Sequence, residues 1–243
     1  MAQTFTSDGS LAAPLSSGLT YLQLSQLVYQ LTESNGVGPT SVINQTGEFR
    51  RICSWVSQAW VEIQEHIEDW EWMRFPCSFN TVALQQTYTP VQVGINNFGR
   101  WRTDSFRSYL TAAGVGNEIP LQQYDYNSFR DYYLLGARKT VYSRPIAIAV
   151  APNKSLVLGL APNDVYTVSG EYYQTPQVLA QDTDVPNMPS RFHMAIVHKS
   201  ILKYGAFNAA YEVIQEHQQL YSAVLNKLEA DQAPTITTGG SFI

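Results

Sequence analysis

Apolar residues recur at helical spacing near both ends of the chain and at strand-like spacing between them. From Thr20, Leu22, Leu24, Leu27, Val28 and Leu31 predict a short helix that ends before Asn35-Gly36. After the loop Gly36–Ser41, Thr46 offers a hydroxyl N-cap to a long helix. Phe49, Ile52, Val56, Trp60, Ile63 and Ile67 form its apolar stripe, with Arg50, Arg51, Gln58, Glu62 and Glu65 opposite. The helix is expected to run to about Asp69–Arg74, because Pro76 forbids its continuation.

Between Cys77 and Gln174 the period shortens. Runs at Cys77–Ala83, Val91–Val93, Arg107–Leu110, Ala147–Ala151, Leu156–Leu158 and Val165–Tyr173 read as strands, separated by Gly, Pro, Asn and Asp clusters. Ala151–Ser155 has the composition of a hairpin turn. One stretch, Asp125–Gly136, instead predicts a short helix with an acidic cap and a closing glycine.

A Tyr-rich extended segment then ends at Pro176, and a polar stretch with Pro186 and Pro189 leads into a second helical region. Proline fixes its own φ and restricts the residue before it, so this stretch is expected to be a stiff strut. Phe192, Ile196, Val197, Ile201, Leu202 and Tyr204 form the next apolar face, with a break expected near Gly205 or Asn208. A last helix carries Ala210, Val213, Ile214, Tyr221, Val224, Leu225 and Leu228, and Pro234 stops it. The tail beyond is either a strand-adding segment for a partner's sheet edge or a frayed terminus.

Composition adds bounds. The chain has 243 residues, enough for one large domain or two small ones, with few charges and 15 tyrosines that suit either strands or contact surfaces. Cys53 and Cys77 form no CxxC or metal spacing, so a disulfide framework is not expected. The N-terminus lacks the basic start and apolar stretch of a signal peptide, and no run of about 18 apolar residues occurs. A soluble, non-exported protein is expected. The net charge of −5 lies in the first third, since acids and bases balance beyond residue 75. That balance argues against wrapping nucleic acid, which requires neutralising cations. The acidic run is either a solvated helix face or a surface that DNA slides past.

Candidate chemistry is sparse. His193 and His198 are five apart and point in different directions on one helix, while His66 and His217 stand alone in others. There is no HExxH, GxSxG, Walker A loop or GxGxxG after a strand. Asp182 and Asp184 flank Thr183 in the stiff segment and read as turn and helix-start residues. Trp60 falls on the core stripe, whereas Trp70 and Trp72 are expected to pack where the helix meets the β region. Arg100-Trp101-Arg102 with Arg107 is a contact patch for nucleic acid or an acidic neighbour.

Three blocks carry a family likeness: Leu27 through Gln45–Glu48 to Trp55, Ala59-Trp60 and Asp69–Met73; the strands near Ala161-Pro162; and Tyr172–Pro176, Leu179-Ala180, Asp182–Pro186, Pro189 and Arg191–Ile196. In that order they resemble the head-to-tail adaptor (connector) proteins of tailed bacteriophages related to the SU10-type adaptor. The resemblance implies an α+β fold, a helical bundle built from the N- and C-terminal helices with a central antiparallel β-rich insertion. The expected organisation is an extended arm over 1–18, a bundle over 19–75 and 190–231, an insertion over 76–189 whose Pro-rich linker is 176–189, and a tail over 232–243.

The same resemblance implies a structural virion protein of the neck, assembled in the host cytoplasm, with no enzymatic activity, cofactor, metal or membrane. Its partners would be its own copies in a twelvefold ring, the portal protein, tail, nozzle or stopper proteins, and genomic DNA passing without sequence-specific binding. Thr235, Ile236, Thr237, Phe242 and Ile243 become the candidate portal-docking tail. Glu62, Glu65, Glu68 and Glu71 become candidate channel-lining acids, and Pro176, Pro186 and Pro189 the structural strut. A neck stopper or tail terminator is the alternative within the virion. A ligand- or carbohydrate-binding module with a Tyr/Trp-lined cleft is the alternative outside it.

Overall fold

The computed structural model of the protein describes residues 18–32 and 36–232. Its elements run α1 (Tyr21–Thr32), α2 (Gly47–His66), β1 (Arg74–Asn80), β2 (Thr87–Tyr88), β3 (Phe98–Leu110), β4 (Ile119–Pro120), β5 (Gln122–Gln123), α3 (Tyr126–Phe129), β6 (Ala147–Val150), β7 (Leu156–Gly159), β8 (Tyr166–Gln174), α4 (Met194–Asn208) and α5 (Tyr211–Gln232). The protein is therefore α+β. Contacts divide it into a helical unit, Met1–Trp72 with Pro176–Ile243, and a β unit, Met73–Thr175. Residues 176–189 thus group with the helices, whereas their position after the strands had suggested the β region.

In the helical unit α4 touches α1, α2 and α5, and α1 touches α2. The stripe expected along α2 is buried at Ile52, Val56, Trp60 and Ile63. Fully burying aliphatic side chains such as Ile52, Val56 and Ile63 contributes about 1.5–3 kcal/mol each. On α1 the buried set is Tyr21, Leu24, Ser25 and Val28, while Leu31 is 52% exposed, so the helix is rotated from the face its leucines suggested. Thr46 occupies the N-cap position of α2 without a side-chain cap bond. Pro76 does not end α2. It stops at His66, where Ile67 turns extended (φ −130°, ψ 132°). Gly205 lies inside α4, and the break falls at Ala209, whose φ is +52°. A Cβ on Gly205 would meet Ile214 Cγ1 at 2.8 Å, so its bareness lets the start of α5 pack close.

The β unit holds two four-stranded sheets, ordered β1-β8-β3-β4 and β2-β7-β6-β5. All ladders are antiparallel except β5 with β6. Tyr88, Trp101, Phe106, Ile148, Leu156, Leu158, Val168 and Tyr172, drawn from both sheets, share one core. Alternation along β6 and β7 turns Ala147, Ala149 and Val157 the other way, against Phe129 and Tyr133. Both faces of that sheet are covered, so β7 is buried throughout.

Sequence and structure differ at three strands. Val91–Val93 is a turn, closed by bonds from the Val93 amide to Thr89 and Pro90 and by Gly94 at φ +86°. β1 starts before Pro76, which is tolerated because β1 is an edge strand. β3 extends back to Phe98 through an irregularity between Arg102 and Arg107. There Ser105 Oγ accepts the Glu171 amide at 2.9 Å and donates to Arg102 O at 2.6 Å, restoring bonds the ladder loses. Phe106 fills the space over Gly170, where a Cβ would lie 2.6 Å from its ring.

Candidate functional site

The Pro-rich segment is tied to the helices by polar side chains at both ends. Buried Gln64 on α2 donates to Gln177 O at 2.9 Å and accepts the Gln177 amide at 2.7 Å, as a neighbouring strand would. Asp182 Oδ1 accepts the Val42 amide at 2.6 Å and the Ser41 hydroxyl at 3.1 Å. Asp184 Oδ2 accepts the amides of Ala180 and Gln181 at 2.7 and 2.8 Å, closing the turn. The backbone carbonyls of Asp184 and Asp182 accept the Tyr21 and Leu22 amides at 2.7 and 3.3 Å. They satisfy two donors at the start of α1 that have no partner inside the helix. The aspartates are indeed turn residues, but the helix they serve is α1, more than 150 positions earlier. Leu179, Pro186 and Met188 are buried beneath this network.

His193 closes the same region. Its Nδ1 accepts the Leu19 amide at 2.9 Å, and the other nitrogen faces Met188 O at 3.3 Å. That assigns the neutral ring with its proton on Nε2. Burial lowers the His193 pKa, and backbone bonds only partly oppose the shift. Beside it an open groove of about 420 Å³ is lined by Gly18, Leu19, Leu27, His193 and Met194 among others.

Two features join α4 to its neighbours. His198 of α4 and His217 of α5 face each other with Nδ1 atoms 3.1 Å apart, a pair hidden by their separation in sequence. Burial lowers both pKa values; each ring also feels Glu216, which raises it, and His198 is further depressed by His217. Glu62 of α2 is held by Lys203 and by Lys199 at 3.3 Å. Burial works to raise the Glu62 pKa, but the two lysines outweigh it and the value falls below the usual carboxylate range.

In the β unit the arginines read as a contact patch are engaged internally. Arg102 pairs with Glu171 at 2.7 Å, Arg107 with Glu118 at 2.7 Å, and Arg100 lies over the Tyr173 ring at 4.4 Å. After α3, capped by Asp125 as expected, a π-helical turn (Arg130–Leu134) and a 3-10 turn (Gly136–Thr140) carry an unbroken exposed run, Leu135–Tyr142. Among the described residues no group of three or more His, Cys, Asp or Glu could hold a metal ion, and no helix is long and apolar enough to cross a membrane.

Residues 19–239, nearly the whole chain, match one family, described as SU10 adaptor protein. The chain belongs to that family. It is a family of structural bacteriophage adaptor proteins. A search of curated proteins gives no match.

The residues singled out in this adaptor from sequence fall in unlike places. Glu62 and Glu65 lie on α2, whereas Glu68 and Glu71 follow its end, so the four acids do not share a helix face. Glu65, Glu68 and Glu71 are exposed; Glu62 is bound to its lysines. Pro186 is buried and Pro176 and Pro189 are half-buried within the helical unit. Trp70 and Trp72 stack on each other at 4.3 Å, and Trp70 Nε1 donates to Ile63 O. Thr235, Ile236, Thr237, Phe242 and Ile243 lie outside the described residues, as does the arm up to residue 17. The histidine pair and the Asp182–Val42 bond escaped sequence reading because each joins positions far apart in the chain.

Proposed function

We propose that this adaptor is the head-to-tail connector of a tailed phage, forming a twelvefold ring below the portal that extends the DNA channel and docks tail components. The family match over residues 19–239 carries the reading. In this reading the helices of both terminal segments make one bundle, the β unit is its insertion, and residues 232–243 dock on the portal. Glu68 and Glu71, exposed beyond the end of α2, face the channel, where like charge discourages DNA adhesion. Glu62 contributes little to that field because Lys199 and Lys203 neutralise it.

Electron microscopy of the purified protein mixed with its portal tests the proposal. A ring stacked on the portal is expected, and deleting residues 233–243 should abolish stacking while leaving the circular dichroism unchanged. Portal binding that survives the deletion would reassign the docking surface, and the absence of any ring would sink the connector reading.

A further inference from the structure

The two units carry opposite charge. The helical unit has fourteen acids and six bases, net −8, and the β unit nine bases and six acids, net +3. Reading the sequence by thirds concealed this split, because the positive β unit and the negative C-terminal helices cancel. The positive excess is concentrated further: residues 126–146 hold Arg130, Arg138, Lys139 and Arg144 against Asp131 alone.

This stretch also carries several exposed large apolar residues. Tyr132, Leu135, Val141 and Tyr142 are 48%, 54%, 44% and 50% exposed, on a finger whose base is anchored by buried Phe129 and Tyr133. Arg138 stacks on the Tyr132 ring at 3.7 Å, presenting an exposed aromatic–cation pair. Aromatic residues and arginine are what protein interfaces concentrate at their centres. Nucleic acid is the poorer fit. Arg130 is paired with Asp131, and Arg144 donates to the carbonyls of Ser108 and Asn117, so few cations remain for phosphates beside so much apolar surface.

We propose that the finger, Tyr132–Tyr142, docks on the α2 face of a second copy of this chain. That face offers a shallow hollow of about 380 Å³ lined by Ser57, Gln58, Val61, Val178 and the lysine-paired Glu62, with Val178 65% exposed. Glu65, exposed on α2, follows Val61 by four residues and so lies one turn further along the same side of the helix. The apolar finger tip fills the hollow, and Arg138 and Lys139 meet Glu65. The two surfaces differ, so the contact is head-to-tail, the kind that closes into a ring when the rotation per copy allows it. The inference rests on the ring reading above and names which surfaces make it.

The test uses the full chain, assembled alone or on purified portal. Arg138→Glu with Lys139→Glu in one variant, and Glu65→Lys in another, should each weaken self-association at least tenfold by sedimentation, with unchanged circular dichroism. Equal mixing of the two should restore assembly, because in a head-to-tail contact each variant then meets a complementary neighbour. Zero-length carboxyl–amine cross-linking of mixed light and heavy isotope wild-type protein should join Lys139 to Glu65 between copies. Variants that assemble like wild type, a mixture that does not recover, or links only within one copy would overturn the proposal and leave the ring reading standing. Intact rings with weakened DNA retention would likewise overturn it, in favour of a nucleic-acid contact. A wild type that never passes beyond monomer, even on the portal, overturns the ring reading and this interface together.

Discussion

At the scale of residues, the histidines should make the adaptor's helical unit sensitive to acid. His193, His198 and His217 all have pKa values lowered by burial from the ordinary 6.5. Between those depressed values and about 6.5 the unfolded chain binds more protons than the folded one, so stability is lost as pH falls through this window. Protonation also removes the acceptor for the Leu19 amide and sets two like charges 3.1 Å apart at the α4–α5 contact. His198→Gln with His217→Gln should flatten the pH dependence of the melting temperature below pH 6.5; an unchanged slope would remove the pair from this account. In the β unit Gly170→Ala should cost about 1–3 kcal/mol in urea unfolding, because the added methyl meets Phe106 at 2.6 Å in a filled core. A neutral effect would show that Phe106 can move aside. Neither Gly170 nor the histidine pair could be assigned its role from sequence, since each depends on a partner brought in by the fold.

At the scale of elements, the Pro-rich segment expected to be a strut groups with the helices and supplies the bonds that cap one of them. It holds the carbonyls of Asp182 and Asp184 over the start of α1. Replacing Pro186 and Pro189 with glycine should cost about 0.4–1 kcal/mol each through the entropy of the unfolded chain, and more at buried Pro186. Hydrogen exchange should then quicken first at Tyr21 and Leu22; exchange that rises equally over all helices would argue against a local cap. The strands show the same division. β6, β7 and β8 were readable because their apolar runs are continuous or alternate between turn residues. The first half of β3 was not, because Arg100 and Arg102 look like surface charge until Tyr173 and Glu171 on β8 are seen beside them.

At the scale of the whole molecule, charge is the property that regrouping changes most. A helical unit of −8 and a β unit of +3 should make association between copies depend on salt. Assembly measured from about 0.05 M to about 0.5 M sodium chloride should weaken steadily, since screening shortens the Debye length over this range. Salt-independent assembly would leave apolar contact as the sole driving force. Local periodicity was enough to establish the helical ends, the β-rich middle, the core stripe of α2 and the capped turn at Asp125, because each is a pattern among near neighbours. The order of motifs was enough to recognise the family. The end of α2 at His66, the rotation of α1, the engagement of Glu62 by Lys199 and Lys203, and the histidine pair came from the folded chain. Each is a contest between local preference and a distant partner, and the distance in sequence conceals the partner until the chain has packed.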